Sequence, residues 1–209
     1  MDKRAAAIAH MNLGAVAIFA VLSLLLNMAG CAPGLGNTLE VQLAEQAEIR
    51  PLKESVAGSS PRIQVLKFTD ARPVEAIAQI DGRVIKPRGD LGTAVSTALE
   101  HYLGKNGVRL SMFDAAIMRG EIKEWKVFVT PGFPSTTMEA TAALVIELLD
   151  KNQKLIHKAR YSGSFNQQHP FIGEHEVSAA LGKALDFALR EALSDPQLIN
   201  KISTLPPMG

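Results

Sequence analysis

The sequence predicts an α+β domain: a mostly antiparallel sheet with two amphipathic helices packed on one face, in the order strand, helix, meander, helix, after a cleaved signal peptide. Three observations carry this expectation. Two segments, 91–102 and 174–193, place apolar residues at helical spacing. Between them, three strand-length runs alternate apolar and polar residues and are separated by turn residues. Ahead of both, an apolar run at 13–26 leads into the single cysteine.

Residues 1–4 form a short start in which Lys3 and Arg4 outweigh Asp2, and 13–26 is apolar apart from Gly14 and Ser23. That length suits a signal peptide and is short for a spanning helix, which needs roughly 20 apolar residues. The apolar residues at 5–9 could extend it, so an uncleaved N-terminal anchor is the competing reading. Met28, Ala29 and Gly30 then precede Cys31, the pattern at which a bacterial lipoprotein is acylated and cut, with Met where Leu is commonest. Cys31 is accordingly the expected lipid-attachment residue. Residues 1–30 are expected to be the signal peptide, 31–60 the lipidated N-terminus and tether, and 61–209 one periplasmic-type domain. Ala32 after the cysteine, in place of Asp, favours the outer membrane over the inner.

Charge and composition narrow the functional classes. With 22 basic and 21 acidic side chains, the chain lacks the basic excess of a nucleic-acid binder or a polybasic membrane patch. Aromatic residues at 5% are few for a base-stacking or sugar-stacking surface. One cysteine allows neither an internal disulfide nor a cysteine metal site, so the exported domain must hold together by packing alone.

The elements follow in order. Residues 38–43 alternate like a half-buried strand, and 44–49 suit a helical turn equally well. Ile63, Val65, Leu66 and Phe68 make 62–69 a nearly continuous apolar strand, of the kind covered on both faces. Asp70 to Pro73 is a turn, and the Asp81-Gly82 pair within 74–85 signals a hairpin. Asp90 is the expected N-cap of a helix whose stripe is Leu91, Val95, Ala98, Leu99 and Tyr102, with Gly104 and Gly107 as its stop. Residues 115–129 read as a long strand kinked near Gly120 or Trp125. In 138–148, Ala140, Ala142, Leu144, Ile146 and Leu148 share one face; in 155–165, Lys158, Arg160, Ser162 and Ser164 share a solvated one. The second long helix buries Val177, Leu181, Ala184, Leu185, Ala188 and Ala192, and Asp195-Pro196 starts a short terminal helix.

Several of these features together resemble the YajG-type lipoproteins: the Cys31 site, Asp70-x-Arg72, the helix ending at 104–107, Lys158-x-x-Tyr161-x-Gly163, and Leu193-x-Asp195-x-x-Leu198. The likeness spans about 63–202 and lies in order and spacing rather than in one motif. Residues 116–122 also look like a strand of the auxiliary lipoproteins of envelope ABC transporters. The resemblance implies an envelope lipoprotein with no established enzymatic activity, and it carries over no catalytic residues and no cofactor.

The remaining candidates each have a plainer reading beside them. His169, Glu174, His175 and Glu176 are metal-ligand types, but around a helix start they suit a polar N-terminus better. Asp70 and Arg72 could grip a carboxylate or phosphate, or simply close the turn on themselves. Trp125 and Phe128, with Phe133 near a turn, form the candidate recognition edge, or else cap a core. Ser55, Ser59 and Ser60 lack a recognisable His and acid, and Gly34-x-Gly36 lacks the Lys-Ser/Thr of a phosphate loop. The expectation is a non-catalytic binding or assembly module, anchored in the membrane through acylated Cys31. Its expected partner is an envelope protein, a transporter component among the candidates. An envelope enzyme, or a carrier of a lipid or cell-wall fragment, is the alternative.

Overall fold

The structure, a computed structural model, describes residues 38–39, 61–80, 82–113 and 115–205. The described residues form one nine-stranded sheet and three helices, which is the expected α+β class. The strands are β1 (Thr38–Leu39), β2 (Arg62–Val65), β3 (Thr69–Asp70), β4 (Ala78–Ile80), β5 (Arg83–Pro87), β6 (Arg109–Leu110), β7 (Ala116–Thr130), β8 (Thr136–Leu149) and β9 (Leu155–His169). The helices are α1 (Leu91–Lys105), α2 (Glu174–Ser194) and α3 (Pro196–Ser203).

β7 is the spine. On one side it pairs antiparallel with β8 over nearly its whole length, and β8 pairs in turn with β9, giving the expected meander. On the other side three short strands line up along it in sequence order, all parallel to it: β2 against Ala116–Met118, β3 against Glu121–Ile122, and β4 at Val127. The sheet is therefore antiparallel in its long strands and parallel along one edge of β7. The parallel part coincides with the apolar run at 62–69, and parallel strands are normally covered on both faces.

That run is two strands rather than one. Between β2 and β3 the chain leaves the ladder to bury Phe68, 1% exposed. Two glycines make room for it. A Cβ at Gly120 would fall 2.4 Å from the Phe68 ring, and one at Gly92, in the first turn of α1, would fall 2.0 Å from the Phe68 carbonyl oxygen. Both sites need the missing side chain for a close approach.

A bulge sets which residues of β7 face the helices. Ile122 pairs with Leu144 and Glu124 with Ala143, so Lys123 is an extra residue with no partner of its own. Before the bulge Met118, Gly120 and Ile122 point inward; after it the phase shifts and Trp125 and Val127 do. The expected kink thus lies between the two positions named for it.

The helices cover the inner face. Asp90 caps α1, its carboxylate accepting from the Thr93 N–H at 3.2 Å. Gly104 remains helical, and the chain turns at Gly107, where φ is +82° and a left-handed glycine costs little. α2 buries Val177, Leu181, Ala184, Leu185, Ala188 and Ala192, as its stripe predicts. It sits so close to β9 that a Cβ on Gly163 would lie 2.1 Å from the Ala184 carbonyl oxygen. The outer face of β8 and β9 is polar, with Glu139, Lys158, Arg160, Ser162 and Ser164 exposed or half-exposed.

Candidate functional site

Arg72, just after β3, has its side chain only 4% exposed. Its Nε and Nη2 donate to the two carboxylate oxygens of Asp70 at 2.8 Å each, and Nη1 donates to the Trp125 carbonyl oxygen at 3.3 Å. The guanidinium is thus spent on a bidentate pair and a tie to β7. Hydrogen bonds from Arg72 hold the Asp70 carboxyl below its usual range. The geometry is that of a turn clamp.

A second polar cluster joins β9 to the start of α3. His157 and Tyr161, an even number of residues apart, both face inward from β9. The Tyr161 hydroxyl donates to Asp195 Oδ2 at 2.7 Å, and His157 Nε2 lies 2.9 Å from the same hydroxyl. The hydroxyl has one proton, committed to a carboxylate, so the imidazole must donate from Nε2. Asp195 also caps α3, accepting from the Gln197 N–H at 2.8 Å. Burial first, and then the Asp195 carboxylate, push the Tyr161 phenol far above its ordinary value, so it stays protonated. The i, i+4 spacing in a strand puts His157 and Tyr161 on one face, but nothing in the pattern of residues brings Asp195 to them.

The candidate recognition residues separate. Trp125 is 1% exposed and its indole N–H donates to the Leu181 carbonyl oxygen of α2 at 3.0 Å. It is a core residue that pins α2 to β7, not the exposed recognition edge expected of it. The physical reason is the bulge at Lys123, which turns Trp125 inward. Phe128 does face solvent, 54% exposed on the outer face, with the Lys126 ammonium 4.6 Å from its ring centroid. Phe133 in the β7–β8 turn and Phe171 between β9 and α2 are more exposed still.

The outer face of the sheet carries a charge ladder. Glu147 accepts from both Arg119 and Lys158, at 2.8 and 2.7 Å, and hydrogen bonds from Lys158 and then Arg119 hold its carboxyl below the usual range. Glu124 pairs with Lys126 at 2.7 Å and accepts from the Thr141 hydroxyl at 3.3 Å. On the free edge of β9 the Ser162 N–H donates to the Glu191 carboxylate of α2, which blocks one site where a foreign strand would pair. An open cleft of about 490 Å³ lies along α1 and is lined by Thr97, Glu100, His101, Gly104, Lys105 and Leu110.

Among the described residues, no group of three or more His, Cys, Asp or Glu is arranged to hold a metal ion. Glu176 reaches back to the Gly173 N–H at 2.8 Å, and His169 meets Gln167. No helix of the described residues is long and apolar enough to cross a membrane. Cys31, the serines at 55, 59 and 60, and Gly34-x-Gly36 lie outside the described residues.

Residues 51–203 match the model of a protein family described as uncharacterised lipoproteins. No curated protein matches the chain. Among solved structures, protein XCC0632 from Xanthomonas campestris superposes with a TM-score of 0.55 at 11% identity, over 78% of this chain and 96% of that one. A minor lipoprotein from Acinetobacter baumannii gives a TM-score of 0.45 at 16% identity, over 71% of this chain and 98% of that one. Lipoprotein GNA1162 from Neisseria meningitidis gives 0.31 at 13% identity, over 60% and 96%. The first of these likenesses supports the fold.

Proposed function

The chain belongs to this family of lipoproteins, and from that premise we propose that it is a YajG-type accessory module of the bacterial cell envelope. In this reading residues 1–30 are removed, Cys31 carries the acyl chains, 31–60 is the lipidated N-terminus and tether, held to the sheet where Thr38–Leu39 pairs with β5, and the domain from 61 onward faces the periplasm, at the outer membrane rather than the inner. It acts by binding, without catalysis, and its partner is an envelope protein such as a transporter component. One observation carries the reading: the residues that give the chain its family likeness build the scaffold. Asp70 and Arg72 clamp each other, Tyr161 and Asp195 join β9 to α3, and Gly163 admits α2. What the domain then offers outward is its surface: the charged outer face of the sheet and the exposed aromatics of the hairpin end.

Two measurements test this. The intact mass of the membrane-extracted protein should correspond to residues 31–209 with a diacylglyceryl Cys31, and a mass retaining Met1 would sink the anchor. In-cell crosslinking should enrich one envelope protein with the wild type and lose it with Cys31→Ala. Enrichment unchanged by Cys31→Ala would mean that anchoring plays no part in partner choice.

A further inference from the structure

We propose that the β7–β8 hairpin end of the domain, with Phe133 at its tip and Phe171 beside it, rests on the surface of the bilayer that holds the Cys31 acyl chains. The proposal rests on the lipidation reading above and adds to it which end of the domain meets lipid.

Phe133 is 101% exposed and Phe171 85%, so both rings stand clear of the domain's own packing. The last row of the β8–β9 ladder sets Thr136 opposite His169, which brings the turn before β8 and the loop after β9 to the same end of the sheet. Phe128, 54% exposed, lies on the outer face two residues before β7 ends. A ring without a polar handle, held at a tip, suits insertion at the boundary between headgroups and acyl chains.

Chain length selects lipid as the occupant. Thr38 lies seven residue steps after Cys31, and fully extended that stretch reaches at most about 25 Å. Thr38 pairs with Lys86, Ile85 with Ala78, and Ala78 with Val127, so Thr38 stands within about one residue of the Val127 row. From that row the hairpin end of β7 at Thr130 is about 10 Å away, and the opposite end at Ala116 about 35 Å. β1 runs parallel to β5 and β5 antiparallel to β4, so the chain enters Thr38 from the hairpin side. An upright domain on so short a leash reaches the bilayer only with the hairpin end. The leash also holds the two rings near the lipid at high effective concentration, so weak insertion suffices. Met112 and Phe113, 76% and 81% exposed, sit at the far end and serve as the control.

The test uses full-length lipidated protein in vesicles of phosphatidylethanolamine and phosphatidylglycerol containing brominated phosphatidylcholine as quencher. The native Trp125 is buried and supplies a constant background. The F133W and F171W variants, both at exposed positions, should be quenched at least twofold beyond the wild type, and F113W should match the wild type. Equal quenching of F113W would mean that the domain lies flat, and would overturn the proposal. So would blue-shifted F133W emission that bromine leaves untouched, since a second copy of the chain would then cover the patch. Unquenched F133W and F171W in protein whose mass shows acylated Cys31 overturns this proposal alone. Protein lacking the acyl group overturns the lipidation reading, and this proposal with it.

Discussion

Single residues in this domain gain their meaning from partners far away in the chain. Tyr161 and Asp195 are 34 positions apart, and their bond ties the meander to the last helix. Replacing Tyr161 by Phe removes the hydroxyl while filling the same space, and leaves His157 and Asp195 short of a partner in a mostly buried setting. The expected cost is about 1–2 kcal/mol, read as a lower urea midpoint. Asp195→Ala removes the same bond and the cap of α3 together, so its expected cost is larger, about 2–3 kcal/mol. Equal midpoints for the wild type and both variants would show that the cluster adds nothing to stability. Asp70, Arg72, Tyr161 and Asp195 were all legible in the sequence as residues in a pattern. Their roles were not, because whether an arginine fork meets a ligand or its neighbour depends on how deeply the turn is buried, and spacing alone does not set that depth.

At the scale of elements, the local signals decided most of the outcome. The helices at 91–105 and 174–194 and the strands of the meander form where the apolar period places them, because each has one face to bury and a long run over which to repeat. The departures have non-local causes. The run at 62–69 divides because Phe68 needs the space left by Gly92 and Gly120, neither of which is near it in sequence. Trp125 faces the core instead of an edge because the ladder holds one residue too many at Lys123, and a bulge leaves no mark in a period-two pattern. The bulge makes a sharp prediction. Without Lys123, Ile122 stands opposite Leu144, Glu124 opposite Ala143 and Trp125 opposite Ala142, one residue against one, so both halves of β7 keep their faces. Deleting Lys123 should therefore leave tryptophan emission at its native maximum and move the urea midpoint little. A red-shifted emission would show that the bulge itself, rather than the pairing on either side of it, holds Trp125 in the core.

For the molecule as a whole, stability rests on the apolar layer between sheet and helices, and charge adjusts it with pH. Most of the shifted carboxyls act in one direction. Asp70 is held low by the Arg72 hydrogen bonds, Glu124 by Lys126, and Glu147 by Lys158 and Arg119. Burial raises Asp195, but the Tyr161 hydroxyl and the Gln197 N–H outweigh it and leave the group low. A carboxyl whose folded value lies below its unfolded one adds stability above the unfolded value, 3.8 for Asp and 4.5 for Glu, and loses it as pH falls through the folded value. Asp186 on α2 opposes them. Burial raises it, and although its Oδ2 lies 3.0 Å from Arg190 Nε, neither that nitrogen nor Asp186 Oδ1 has a hydrogen-bond partner among the described residues. Its ionised form is therefore a burden to the fold near neutrality, and the burden lifts when it takes up a proton. The urea midpoint should hold steady from about pH 7 to 5 and fall below about pH 4.5, as the larger group of carboxyls protonates. Asp186→Asn should be as stable as the wild type or more so at pH 7, and the difference should vanish at acid pH, where Asp186 is itself neutral. If the variant were destabilised at pH 7 and matched the wild type only in acid, the Arg190 contact would outweigh the cost of burial. The ionised pair would then be a net contributor to the fold.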